Sequence, residues 1–181
     1  MVYIFLADGF EIIEAMSPLD MLRRAKLETA TVGVTGKRVT ASCGVTVEAD
    51  ITIDEFNFSN VDAIVLPGGM PGTTNLEANE KVHSAIDTAV AEDKLVCAIC
   101  AAPSILGHKG LLNGLEATCY PGFEDALCGA SLSDNYVAVD GKFVTARGAG
   151  VSVDFGLEIV KQLSGEAEAQ RIKSQIQCNE G

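Results

Sequence analysis

Cys100 is the residue whose type and position point most directly to chemistry. A short apolar run over 95–99 ends at this cysteine, and the small residues and Pro103 that follow open a helical pattern. We therefore predict that Cys100 lies on a strand-to-helix turn above the carboxyl end of a sheet. The free amides and positive dipole end of the next helix are expected to favour the thiolate, which is the nucleophilic form. A buried cysteine is also a common inert core residue, so position alone leaves both interpretations open.

A glycine-rich turn provides candidate partners for a reaction at Cys100. The apolar run that begins at Asp62 leads into Gly68 and Gly69. Their amides, with that of Ala101 after the cysteine, are expected to converge on an oxygen that becomes negative when a thiolate adds to a carbonyl group. The other interpretation of these glycines is a simple tight turn.

Glu14 is the candidate proton-transfer group. It follows the first apolar run, over 2–7, and so is expected just past the carboxyl end of the first strand. A carboxylate beside a thiolate is costly, so the pKa of this carboxyl group should rise and the group should donate a hydrogen bond to sulfur. It can then act as a general acid and base. On sequence alone, the position is more typical of a solvated acid at the start of a helix.

Redox, metal and hydrolytic chemistry have weaker support. Cys97 and Cys100 match C-x-x-C, but a three-residue spacing along a strand places two side chains on opposite faces. The two histidines, His83 and His108, lie on or at the end of predicted helices, and neither directly follows the cysteine. Neither a Cys-His pair nor a metal site is therefore predicted.

The surrounding elements alternate between apolar strands and amphipathic helices. Strands are predicted in the runs that begin at Val2, Glu28, Asp62 and Leu95, and a hairpin is predicted to turn at Asp140-Gly141. Ser17-Pro18 is expected to kink or restart the first helix. This alternation predicts an α/β fold with a mostly parallel sheet covered on both faces.

Ligands in such folds bind at the carboxyl ends of the strands. Four predicted turns reach that edge, and they carry Glu14, Gly68-Gly69, Cys100 and Arg147-Gly148. The sequence thus predicts one site built from four separated segments.

Composition limits the remaining function classes. The 181 residues are predicted to form a single domain over 1–181. The net charge of -12, with 13 dispersed Lys and Arg, disfavours nucleic-acid binding. Six cysteines without a regular framework indicate a reducing, cytoplasmic location. With no signal-peptide pattern and no membrane-length apolar run, we expect a soluble protein without a membrane partner.

Five segments resemble the DJ-1/PfpI superfamily over nearly the whole chain, in the same order: residues 6–14, 18–25, 64–69, 98–103 and 147–156. The resemblance implies a flavodoxin-like three-layer sandwich, a nucleophile elbow like that of class I glutamine amidotransferases, and a homodimer. It also implies that Cys100 is an oxidation-prone nucleophile and Glu14 its protonated partner. The implied activity is that of a glyoxalase or deglycase that needs no cofactor or metal and acts on methylglyoxal or on glycated thiols and amines.

Two positions depart from the family pattern. Ala101 stands where the protease-like branch has a histidine, and Tyr120 stands where deglycase-like relatives can carry one. The resemblance therefore leaves Glu14 to handle protons, with Tyr120, Pro121, Arg147 and Gly148 lining the pocket. The alternative functions are a redox sensor or chaperone that acts through oxidation of Cys100, and an amidase or protease, which the missing histidine disfavours.

Overall fold

A seven-stranded sheet forms the centre of the structure, a computed structural model that describes residues 1–178. The end of the domain predicted over 1–181 thus lies outside the described residues. Eleven strands are described, the longer ones formed by the apolar runs: β1 (Val2–Leu6), β2 (Thr29–Gly33), β3 (Arg38–Thr40), β4 (Thr46–Glu48), β5 (Ile51–Thr52), β6 (Ala63–Leu66), β7 (Leu95–Ile99), β8 (Glu116–Ala117), β9 (Ser131–Leu132), β10 (Val137–Asp140) and β11 (Phe143–Ala146).

Six α-helices lie within the described residues, four of them between strands and two after the last strand. They are α1 (Ile12–Arg24), α2 (Gly72–Glu77), α3 (Glu80–Ala91), α4 (Pro103–His108), α5 (Ser152–Ser164) and α6 (Glu166–Gln175). No helix among residues 1–178 is long and apolar enough to cross a membrane.

The strand order of the main sheet is β10-β11-β7-β6-β1-β2-β5. All neighbouring pairs are parallel except β10 and β11, which form the predicted antiparallel hairpin. Its two turn residues are Gly141 and Lys142, since Asp140 pairs with Phe143, so the predicted turn at Asp140-Gly141 is one residue too early. The predicted flavodoxin-like α/β class is confirmed. Because the central strands run in one direction, their carboxyl ends share one edge of the sheet.

The sheet separates two hydrophobic cores. In β1, Ile4 and Leu6 face the core covered by α1, α5 and α6, whereas Phe5 faces the core covered by α2, α3 and α4. This alternation follows from the two-residue period of a strand, and it explains why the runs are apolar at every position. Helices thus cover both faces of the sheet.

Helix α1 differs from the sequence prediction. The predicted restart at Ser17-Pro18 is wrong, since one helix runs through Pro18. Its N-terminal cap is Glu11, whose carboxylate accepts the backbone N–H of Glu14 at 2.8 Å, so Ser17 is not needed as a cap. Tight packing holds the segment: a side chain on Gly156 of α5 would begin 2.8 Å from the Cα of Pro18.

Candidate functional site

Cys100 directly follows β7 and has the left-handed backbone conformation, with a φ of 65°. For a residue other than glycine this conformation costs about 1–2 kcal/mol. Two backbone hydrogen bonds hold it, because the Cys100 N–H donates to Ala146 O and the Tyr120 N–H donates to Cys100 O, each at 2.8 Å. The predicted strand-to-helix turn is thus present. Because Cys100 has a positive φ, its side chain does not follow the alternating directions of the side chains along β7.

Cys97 illustrates the effect of that turn. The spacing of the two cysteines predicted opposite faces, but both pack against the core under α1, α5 and α6. The expectation of opposite faces is wrong because Cys100 has left the strand. All six cysteines, which lie within the described residues, are free.

Glu14 lies in the first turn of α1 and is completely buried. Its Oε2 accepts the Gly68 N–H at 2.9 Å. Its Oε1 has no hydrogen-bond partner of ordinary geometry among residues 1–178, while the Cys100 thiol lies close enough to affect the titration of the carboxyl group. The alternative of a solvated helix-start acid is therefore excluded by burial.

Burial raises the pKa of Glu14 to about 7, and the Cys100 thiol and the Gly68 amide offset this only in part. Burial also raises the pKa of the Cys100 thiol to about 12, with a further contribution from the Glu14 carboxylate. The amides of Ala101 and Gly69 lower the pKa of the thiol, but the desolvation outweighs them. The expectation that the turn by itself favours a thiolate is corrected on this point.

The two groups consequently titrate as a coupled pair. Above the first ionisation, near pH 7, the pair carries one negative charge, and the second ionisation requires strongly alkaline conditions. The single proton can reside on sulfur or on the carboxylate. When it resides on Glu14, Cys100 is a thiolate beside a carboxylic acid.

The glycine-rich turn packs directly against this pair. A side chain on Gly68 would begin 2.7 Å from the Cβ of Cys100 and 2.7 Å from Oε2 of Glu14, so only glycine fits there. The Gly68 amide binds Glu14 in this structure, whereas the sequence assigned it to an oxyanion. Gly69 and Ala101 remain as the amides that face the sulfur.

A cavity of about 490 Å³ lies beside the pair, which we call the Arg147 cavity. Four of its lining residues were assigned to the pocket from the sequence: Tyr120, Pro121, Arg147 and Gly148. The sequence prediction missed the other four, which are Tyr136, Ala149, Gly150 and Val151. Gly148 joins the cavity to the pair, since a side chain there would begin 3.2 Å from the Tyr120 ring and 3.8 Å from Oε1 of Glu14.

Tyr136 is the most informative of the missed residues. The guanidinium carbon of Arg147 lies 5.1 Å from the centre of its ring. In the observed hairpin Tyr136 lies opposite Arg147, whose backbone N–H donates to Tyr136 O at 3.0 Å. Counting outward from the predicted turn at Asp140-Gly141 would instead place Tyr136 opposite Thr145, so the predicted register did not reveal this contact.

The histidines lie elsewhere. His83 and His108 both contact Glu77, on the surface formed by α2, α3 and α4. Within the part of the chain that is described, no group of three or more His, Cys, Asp and Glu side chains is arranged to hold a metal ion.

Comparisons with known proteins agree with this fold. The model of the DJ-1/PfpI family matches residues 1–162. DJ-1 homolog A of Arabidopsis thaliana is 34% identical over 177 residues, which cover 96% of this chain and 45% of that protein. The chain therefore spans less than half the length of that relative. A Pyrococcus abyssi protein named a deglycase is 34% identical over 164 residues, covering 90% of this chain and 98% of the relative. The structure of oxidized Toxoplasma gondii DJ-1 superposes with a TM-score of 0.93 at 34% identity, covering 97% and 96% of the two chains.

Proposed function

The chain belongs to the DJ-1/PfpI family, and from this premise we propose that it is a cysteine-dependent glyoxalase or deglycase. Its substrates are methylglyoxal or the adducts that methylglyoxal forms with thiols and amines. The observation that carries the proposal is the pair itself: Cys100 is held in a left-handed turn beside Glu14, a buried carboxyl group whose pKa is about 7. Such a carboxyl group can both accept and return a proton at neutral pH.

The reaction begins when the thiol proton of Cys100 passes to Glu14. The thiolate then forms a carbon–sulfur bond with the aldehyde carbon, and the carbonyl oxygen becomes negative. The amides of Gly69 and Ala101 stabilise that oxygen until it takes the proton from Glu14, which becomes a carboxylate again. The product of this step is a hemithioacetal.

Glu14 then carries the second proton transfer. As a carboxylate it removes the hydrogen from the former aldehyde carbon, and protonation of the neighbouring carbon gives a lactoyl thioester, an isomer of the hemithioacetal. Water hydrolyses the thioester to lactate and the free Cys100 thiol. With an adduct as substrate, the Cys100 thiolate bonds to the former aldehyde carbon while the bond from that carbon to the thiol or amine breaks, and the leaving group takes the proton held by Glu14.

The test is lactate formation from methylglyoxal. We expect none above background in Cys100→Ser, and a rate at least about 100-fold below wild type in Glu14→Ala, because a positioned acid–base group contributes that much or more. Cys43→Ser, at an exposed cysteine, is the matched control. Wild-type rates in both site variants would refute the proposal.

We also propose that the protein acts as a homodimer in the cytoplasm and that its reaction uses no cofactor. Six free cysteines suit a reducing compartment. Light scattering after size-exclusion chromatography tests the dimer, and a monomer at micromolar concentration would contradict it.

A redox-sensing function is the second candidate. The buried Oε1 of Glu14 beside the sulfur, together with the Gly69 and Ala101 amides, can hold the oxygens of a cysteine sulfinate. If peroxide is the physiological oxidant, intact mass measurements after mild treatment should show two oxygens on Cys100 before the other five cysteines react. Oxidation without preference for Cys100 would argue against this function.

A further inference from the structure

Arg147 is a partly buried guanidinium without a carboxylate partner in the described structure. Arg23, Arg24 and Arg171 each form a salt bridge, but no Asp or Glu oxygen among residues 1–178 lies within 4 Å of a nitrogen of Arg147. Its side-chain hydrogen bonds are both long, at 3.4 Å, to Thr118 Oγ1 and to Ser133 O. In a chain of net charge -12, this leaves several strong donors open to an anion from outside.

Neighbouring acids do not fill this role. Glu124 and Asp134 line an adjacent cavity that Arg147 also borders. The Glu124 carboxylate accepts the Gly122 N–H at 2.7 Å, and among the described residues neither Glu124 nor Asp134 has an oxygen within 4 Å of a nitrogen of Arg147. The positive charge of Arg147 is therefore not neutralised by an ion pair within the described fold.

Tyr136 holds the guanidinium in place. The 5.1 Å separation of guanidinium and ring is typical of a cation–π contact, which fixes the plane of the group and leaves its donors free for an anion. Tyr136 is 63% exposed and packs little otherwise, so its ring is available both to Arg147 and to a ligand.

The position of Arg147 relates it to the reacting sulfur. Ala146 of β11 pairs with Ile99 of β7, so Arg147 and Cys100 leave two adjacent parallel strands at the same level. Neighbouring strands lie about 4.8 Å apart. One ligand can therefore reach both residues, with its aldehyde carbon at Cys100 and an anionic group at Arg147.

The size of the cavity also exceeds what methylglyoxal requires. A volume of about 490 Å³ is within the range of about 300–1,000 Å³ that suits drug-sized ligands. Tyr120, Tyr136 and Val151 give it a largely apolar wall. These features fit a substrate with an apolar body and one anionic group.

We propose that Arg147 binds a carboxylate of the substrate, and that the site prefers carboxylate-bearing aldehydes and adducts to neutral ones. The carboxylate can belong to the aldehyde itself or to the amino acid that forms the adduct. This inference rests on the proposed function for the covalent step at Cys100, but carboxylate binding by Arg147 does not depend on turnover.

Two pairs of substrates test the preference and separate the two sources of the carboxylate. The first pair is 4-carboxyphenylglyoxal and phenylglyoxal. The second is the methylglyoxal adduct of N-acetylcysteine and that of N-acetylcysteine amide. In at least one pair, we expect the charged member to have the higher kcat/KM by about 10- to 100-fold, as a charge-assisted hydrogen-bonded pair provides. The pair that shows the preference identifies the source.

Substitutions at the cavity assign the preference to Arg147. Arg147→Met should bring the ratio of the two kcat/KM values to within about twofold of one, and Arg147→Lys should restore only part of it, because lysine lacks the bidentate fork. Tyr136→Leu should lower the ratio, and it covers the case that Arg147→Met does not fold. The matched control is Arg38→Met, which removes the same charge at an exposed position on β3 and should keep the wild-type ratio.

Binding of an unreactive probe separates this inference from the proposed function. Calorimetry with Cys100→Ser should show benzoate bound at least about tenfold more weakly when Arg147→Met is added, with benzamide unaffected. If neither the wild type nor any variant turns over an aldehyde, but Arg147→Met still weakens benzoate binding, the proposed function fails and the carboxylate site stands. Equal benzoate affinity with and without Arg147, or equal kcat/KM within both substrate pairs, overturns the inference.

Discussion

Replacing Glu14 by glutamine should make the stability of the protein less dependent on pH. Burial raises the pKa of this carboxyl group from its ordinary value of 4.5 to about 7. Because one pKa unit corresponds to about 1.4 kcal/mol, ionised Glu14 costs the folded state about 3 kcal/mol relative to the unfolded chain. Glutamine has nearly the same shape and can still accept the Gly68 N–H, but it does not ionise.

The sign of the effect follows from where the proton is bound. Below about pH 4.5, Glu14 is protonated in both states and the cost is absent. Between pH 4.5 and 7 the unfolded chain releases this proton first, so the free energy of unfolding falls as the pH rises. Above pH 7 the full cost is present. Relative to Glu14→Gln, the wild type should therefore lose about 3 kcal/mol between pH 4.5 and pH 8.

Urea unfolding followed by circular dichroism at several pH values from 4.5 to 8 measures this difference. Subtracting the two curves cancels the groups that titrate alike in both proteins. Glu48→Gln, which removes an exposed carboxylate of β4, is the matched control. In a Cys100→Ala background the fall should be larger, since the thiol lowers the pKa of Glu14. A flat difference for Glu14→Gln would refute the assignment of a raised pKa to this group.

Two further substitutions test the geometry around the pair. Cys100→Gly should be more stable than Cys100→Ala by about 1 kcal/mol, because glycine adopts a φ of 65° without strain. The midpoints of urea unfolding measure this difference. A more stable Cys100→Ala would contradict the left-handed turn. Gly68→Ala should lower lactate formation at least about 100-fold and destabilise the fold by about 1–3 kcal/mol, because its side chain would displace Cys100 or Glu14. Thermal melting against Gly150→Ala, where a side chain meets no atom within 4 Å, is the stability control, and equal melting of the two variants would contradict the close packing at Gly68.

Local sequence patterns predicted most of the fold. The apolar run that ends at Cys100 and the Asp140-Gly141 pair both act through neighbouring residues. The structure contains the predicted strand, and it contains the predicted hairpin with its turn one residue later. Ser17-Pro18 misled the prediction because a local breaker signal was overridden by the cap at Glu11 and by packing against α5.

The candidate site could be predicted only as a set of segments. The order of apolar strands and helices was enough to bring the turns with Glu14, Gly68, Cys100 and Arg147 to one edge of the sheet. The order of elements does not specify which amide meets which oxygen, and the Gly68 amide proved to bind Glu14.

The sequence by itself thus determined the α/β class, the family resemblance and the position of Cys100 on its turn, since these follow from short-range periodicity and turn chemistry. Only the tertiary structure decided the burial of Glu14, which is the main cause of its raised pKa, the raised pKa of the Cys100 thiol, and the contact of the Arg147 guanidinium with the Tyr136 ring. Desolvation and hydrogen bonding depend on all the elements packed around a group. Glu14 meets Gly68 across 54 positions of sequence, and a contact at that separation exists only once the sheet has formed.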